Sequence, residues 1–253
     1  MVIATKFGLR FDIESGQVPY PLITDSRPEG IRRSVEGSLR RLQTNYIDLY
    51  YQHRPDPQIP IEEVAGTMQD LIKEGKVLYW GLSEASEEDI RRANAVCPLT
   101  AVQDRYSMMA RWHEALFPVL EELGIGLVAF SPLANGLLSD RYNAASHFEA
   151  GTDYRAGMPQ FQPDSYDKNH DLLQLIRRIA AEKNATPAQI SLAWMLCKKP
   201  WIVPIPGTRK LDRLQENAGA TDVMLTDAEV KQIDKALDAM PMSDVFGGTK
   251  IKA

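Results

Sequence analysis

The chain has 253 residues, 44% of them hydrophobic and 25% charged, and 34 acidic against 29 basic side chains leave a net charge of -5. That balance excludes the basic footprint of a nucleic-acid binder, and no apolar run approaches the ~20 residues of a membrane-spanning helix. Cys97 and Cys197 lie far apart and His53, His113, His147 and His170 are scattered, so neither a disulfide framework nor a metal site is expected. Reduced thiols, and an apolar start too short for a signal peptide, point to a cytoplasmic protein.

Val2 to Gly8 reads as a buried strand. Ser26-Arg27-Pro28-Glu29 has capping-box spacing, and Ile31, Val35, Leu39 and Leu42 then repeat on one helical face. Ile47 to His53 is a second strand. Ile61 to Glu74 is a helix with Val64, Met68, Leu71 and Ile72 inward, ended by Gly75. Leu78 to Ser83 is a third strand, and Ser86 opens a short helix after it. Thr100 to Gln103 is a fourth strand, Leu116 to Leu123 a helix, and Gly126 to Ser131 a fifth strand.

An irregular stretch from about Asp140 to Lys168 follows, rich in Gly, Pro, Asn and Asp. The next helix carries Leu172, Leu175, Ile176 and Ile179. Another, capped at Thr186-Pro187, carries Ile190, Ala193, Trp194 and Cys197. Trp201 to Ile205 is a sixth strand. Thr226 to Glu229 is a capping box opening a last helix with Val230, Ile233 and Leu237. Residues 1–240 are expected to form one domain, and residues 241–253 a loose tail.

Regular strand–helix alternation predicts an α/β fold with a parallel sheet covered by helices. No Gly-x-Gly-x-x-Gly follows any strand, so the (β/α)8 barrel is favoured over a doubly wound sheet. Six strands are legible where the closed form needs eight.

Two strand ends stop on an ionisable side chain, Lys6 and His53, and barrel chemistry is done at such ends. They are the first candidates for a catalytic pair. Tyr51, two residues before His53, shares its strand face and reads as interior filling.

Ala4-Thr5-Lys6-Phe7-Gly8, Ile47 to His53, Gly81-Leu82-Ser83, Ala101-Val102-Gln103, Phe130-Ser131-Pro132-Leu133 and Ile205-Pro206-Gly207-Thr208 occur in order, followed by Arg213-x-x-Glu216-Asn217. Together these segments resemble the aldo-keto reductase superfamily, and most nearly its bacterial subgroup related to potassium-channel β subunits. The resemblance implies a (β/α)8 barrel that reduces small aldehydes and ketones with NADPH and without a metal.

In that chemistry hydride passes to a carbonyl carbon while a tyrosine protonates the oxygen. A lysine lowers the tyrosine's pKa, an aspartate pairs with the lysine, and a histidine orients the carbonyl. By motif, Lys6 matches the lysine and His53 the histidine. Ser83 and Gln103 match the residues that hold the carboxamide, Phe130 the ring that stacks on the nicotinamide, and Ser131 and Leu133 the pyrophosphate path. Gly207, Thr208, Arg209, Lys210, Arg213, Glu216 and Asn217 match the adenosine end, where the three cations suit a 2'-phosphate and so NADPH over NADH. Glu84 stands where many members carry an asparagine.

The family's aspartate and tyrosine lie upstream of the lysine strand, so the resemblance implies a chain lacking the first two βα units, about 60 residues. From this follow two alternatives to a working reductase: a non-catalytic NADP(H)-binding regulatory module, or an inactive remnant. It also leads to an expectation of self-association through open sheet edges.

Overall fold

The computed structural model describes residues 1–246, and the expected tail falls partly outside that range. The elements in chain order are β1 (Ala4–Phe7), β2 (Leu9–Phe11), β3 (Leu22–Thr24), α1 (Pro28–Leu42), β4 (Ile47–Gln52), α2 (Ile61–Lys73), β5 (Val77–Ser83), α3 (Glu87–Val96), β6 (Ala101–Arg105), α4 (Phe117–Leu123), β7 (Gly126–Phe130), α5 (Pro163–Lys168), α6 (His170–Glu182), α7 (Pro187–Lys198), β8 (Ile202–Pro204), α8 (Leu211–Ala218) and α9 (Asp227–Ala239). Strand–helix alternation therefore holds as read from the sequence. Contacts group the chain into two compact units: Met1–Asp104 with Leu116–Leu127, and Arg105–Ala115 with Val128 onward.

In the first unit β1, β4, β5 and β6 are neighbours in that order, and each pair is parallel. The register pairs Lys6 with Tyr51, Tyr51 with Gly81, and Gly81 with Ala101. One step further on the same face, Ser83 pairs with Gln103, and the His53 N–H donates to the Phe7 carbonyl at 2.8 Å. The two-residue period of a strand puts Lys6, His53, Ser83 and Gln103 on one face, at the carboxyl ends of neighbouring strands.

The opposite face carries Tyr50, Trp80 and Val102, all fully buried, and meets the helices: Trp80 Nε1 donates to the Cys97 carbonyl at 3.2 Å, just past α3. Ile31 and Val35 of α1 and Val64, Met68 and Leu71 of α2 are buried, as their spacing predicts. Leu42 departs from it, with 38% of its surface exposed.

Gly81 is dictated by its neighbours. A Cβ there would lie 2.2 Å from the Ala101 carbonyl and 2.7 Å from the Tyr51 ring. The Tyr51 ring thus takes the space a side chain at residue 81 would fill, as its reading as interior filling requires.

Two local expectations are corrected. Ser26 does not cap α1. Its hydroxyl accepts from Gln52 Nε2 at 2.9 Å, and the cap position falls on Arg27 with no side-chain bond. The tail after Met240 is not loose over residues 241–246. Ser243 exchanges hydrogen bonds with Asn169, Phe246 N–H donates to Gln160, and Val245 is buried.

The second unit holds the end of β7 beside β8, where the Ile205 N–H reaches the Ala129 carbonyl at 3.0 Å. Its helices α6, α7 and α9 bury Leu172, Ile176, Ile190, Trp194, Val230 and Ile233. Capping boxes at Thr186/Gln189 and Thr226/Glu229 form as read from the sequence. The irregular stretch is a chain of short turns ending in α5.

Candidate active site

The first unit carries the ionisable strand ends. Lys6 and His53 are each half-buried. Burial, with the Arg54 charge adding to it, lowers the Lys6 ammonium below its ordinary pKa. Burial also lowers the His53 imidazole, with Lys6 and then Arg54 contributing. Both shifts disfavour the charged form. The charge that acts on Lys6 is the Arg54 guanidinium, in place of the carboxylate that pairs with the lysine in the chemistry of the family it resembles.

Ser83 and Gln103, both buried, stand side by side on the next strand pair. Tyr51 lies beneath them. Burial pushes its phenol well above the ordinary range, while the Gln103 side chain pulls it partly back. A phenol held neutral in this way is a poor acid.

Arg54 and Asp104, which the sequence did not single out, join Glu84 here. Arg54 donates to the His53 carbonyl at 2.9 Å and faces Glu84 at 3.4 Å. Glu84 adopts a left-handed φ of 52°, and its N–H donates to Asp104 Oδ1 at 2.8 Å. Asp104 is fully buried, and desolvation raises its carboxyl to about 7.

The second unit carries a cavity of about 550 Å³. Ser131, Leu133, Gly207, Thr208, Arg209, Arg213, Glu216 and Asn217 all line it, which gathers most of the residues expected at the pyrophosphate and adenosine ends. Lys210 is exposed and sits at the cap of α8, its N–H on Thr208 Oγ1 at 3.1 Å, and is not part of the lining. Phe130 also lies outside the lining, with the Arg105 guanidinium 4.9 Å above its ring.

Local chemistry explains the wall. Arg213, Glu216 and Asn217 share one face of α8 by their three- and four-residue spacing. The turn after β7 runs through left-handed residues at Ser131, Ala134, Asn135 and Gly136, with φ of 52°, 47°, 60° and 105°. Such strain persists where the surroundings over-determine it, and it clusters at binding sites. At Gly136 a Cβ would meet the Tyr142 ring at 2.8 Å, so glycine is required twice over.

The irregular stretch also supplies residues the sequence did not single out. Arg141, Tyr142 and Thr152 to Arg155 line the cavity. Arg141 Nη2 binds Glu216 Oε2 at 2.6 Å, and Arg155 is clamped between Asp153 and the Tyr142 hydroxyl. Three aromatic residues of the second unit, Tyr106, Trp112 and Phe161, make ring contacts within the protein. Tyr106 stacks on Trp194 at 5.4 Å, Trp112 lies against His113, and Phe161 meets Tyr142 and Phe148.

A dinucleotide fits this wall on one direct observation. Arg213 Nε is buried and has no hydrogen-bond partner among the described residues, and Arg213 lines a cavity that also holds Arg209. A phosphate oxygen is the acceptor such a donor lacks.

The chain is similar to known proteins along most of its length. Residues 1–238 match the profile described as the aldo/keto reductase family. A probable aldo-keto reductase of Glycine max is 43% identical over 247 residues, covering 97% of this chain and 68% of that protein. An aldo-keto reductase of Schizosaccharomyces pombe, whose name specifies NADP(+), is 40% identical and covers 93% of this chain and 69% of its own length. A solved structure of a glycerol dehydrogenase from Gluconobacter oxydans superposes with a TM-score of 0.86 at 30% identity, over 94% of this chain and 72% of that one. These matches show that the chain belongs to the aldo/keto reductase family.

Proposed function

We propose that this chain binds NADPH and serves the reduction of small aldehydes and ketones. When bound, NADPH supplies the hydride. In this reading the second unit takes the adenosine and phosphate groups. Arg209 and Arg213 meet the 2'-phosphate, Glu216 and Asn217 meet the adenine end, and the left-handed turn at Ser131 presents amides to the pyrophosphate. In the first unit Ser83 and Gln103 hold the carboxamide, and His53, held toward its neutral form, donates a hydrogen bond that orients the substrate oxygen. Lys6 lies within the same face and stabilises negative charge as it develops on oxygen or on the proton donor. The two free thiols and a reductant such as NADPH suit a cytoplasmic setting.

The observation that carries this reading is the unpartnered Arg213 Nε inside the cavity. One observation favours a second reading, a cofactor-binding module without turnover: the neighbouring charge on Lys6 is Arg54 and not a carboxylate. Tryptophan fluorescence on addition of NADPH tests the first step. Quenching is expected, and R213A should weaken it about tenfold while changing NADH little. No quenching at millimolar NADPH would sink both readings. Quenching without carbonyl-dependent NADPH consumption would leave the binding module.

A further inference from the structure

The turn leaving β4 carries a guanidinium that the residues assigned so far do not use. Arg54 Nη1 donates to the His53 carbonyl at 2.9 Å and to the Ser83 hydroxyl at 3.5 Å, the long end of the hydrogen-bond range. Its Nη2 lies 3.4 Å from Glu84 Oε2. Glu84 is fixed in turn. It stands in the left-handed region, and its N–H donates to Asp104 Oδ1 at 2.8 Å and to the Gln103 carbonyl at 3.3 Å. One planar side chain therefore ties the ends of β4 and β5, and through Glu84 the end of β6. Those are the strands that deliver His53, Ser83 and Gln103.

We propose that Arg54, held by Glu84, is a positioning residue that sets the direction of the Ser83 hydroxyl and the seat of His53. The inference rests on the reading of Ser83 as a carboxamide contact. Its chemistry follows from the donor inventory. Arginine has no acceptor, so in its contact with Arg54 the Ser83 oxygen must accept. The serine proton is then turned away from Arg54 and is free to be donated to an amide carbonyl. A lysine could supply the charge, but not a rigid fork that reaches two strand ends at once.

The same contact has an electrostatic signature. The charges acting on His53 are Lys6 from β1 and Arg54 beside it, and both favour the neutral imidazole. Glu84 after β5 opposes Arg54, and Asp104 on β6 lies behind Glu84. Removing Arg54 must therefore raise the His53 pKa, and removing the Glu84 charge must lower it.

The experiment uses the full chain, with His53 followed by NMR titration and identified with H53Q, and with NADPH binding followed by fluorescence. In R54Q the His53 midpoint should rise, and NADPH should bind about threefold to tenfold more weakly. R54K should keep the midpoint near that of the unmodified chain yet show the same loss of affinity. A folded R54Q with an unmoved midpoint overturns the proposal, and so does an R54K that binds NADPH as tightly as the unmodified chain. Should R54Q fail to fold, E84Q reads the same contact with the opposite sign, and an unmoved midpoint there is equally fatal. If the unmodified chain fails to bind NADPH, the reductase reading falls, while the titration still decides the Arg54 contact.

Discussion

Two lysines in this protein have opposite surroundings. In the second unit Lys198 has a side chain 10% exposed and meets Glu114 at 2.7 Å and Asp234 at 3.0 Å. Its ammonium also lies 4.7 Å above the Trp194 ring, while Trp194 Nε1 donates to Asp234 and the Tyr106 hydroxyl to Glu114. In the first unit Lys6 is half-buried beside His53 and Arg54, and its pKa falls. A cation surrounded by acceptors holds the fold together. A half-buried cation beside a second cation is costly to the fold, and that cost is a mark of a functional site.

Removing each charge separates the two roles. K198M should destabilise the protein by about 3 kcal/mol in urea unfolding, because two part-buried carboxylates lose their counter-charge. A loss under about 1 kcal/mol would show the network to be as weak as an exposed pair. A pH series sharpens the contrast within the second unit. His113 is buried, and burial with the Arg105 charge lowers its pKa to about 4. Folding then favours the neutral ring, so this contribution is complete above the unfolded value of about 6.5 and is lost as pH falls toward 4. Stability measured from pH 7 to pH 4 should drop by up to about 3 kcal/mol from this group, and H113Q should flatten that part of the profile. The smallest effect belongs to Lys6. K6M should change stability by about 0.5 kcal/mol or less, or raise it, while abolishing any carbonyl-dependent NADPH consumption. A K6M chain as destabilised as K198M would erase the distinction.

The alternation of strands and helices was legible because burial imposes it residue by residue. Val64, Met68 and Leu71 had to repeat at helical spacing, and Tyr51 and His53 at strand spacing. The capping boxes at Thr186 and Thr226 were legible for the same reason, since their partners lie three residues away. The box at Ser26 failed because a residue 26 positions distant, Gln52, takes the hydroxyl. The hairpin of β2 and β3 went unread because ten residues, with Gly16, Pro19 and Pro21 among them, separate strands of three residues each. Long-range contacts explain the rest. Arg54 acquires its partners from strand register, and Arg141 reaches Glu216 across 75 residues, so neither role has a local spelling.

That last ion pair has a neighbour. Asp140 binds Arg177 of α6 with two hydrogen bonds of 2.6 Å, so adjacent residues anchor the start of the irregular stretch to two different helices. The stretch thus leaves its scaffold at a pinned root, and the span free to wander is shorter than its sequence length suggests. Substitutions or insertions between Asn143 and Gly151 that spare Phe148, which packs on Tyr142 and Phe161, can alter its outer turns at small entropic cost. Variation in this part of the chain is therefore uncoupled from the alignment of α6 and α8, which leaves the fold free to change what it admits without changing how it stands.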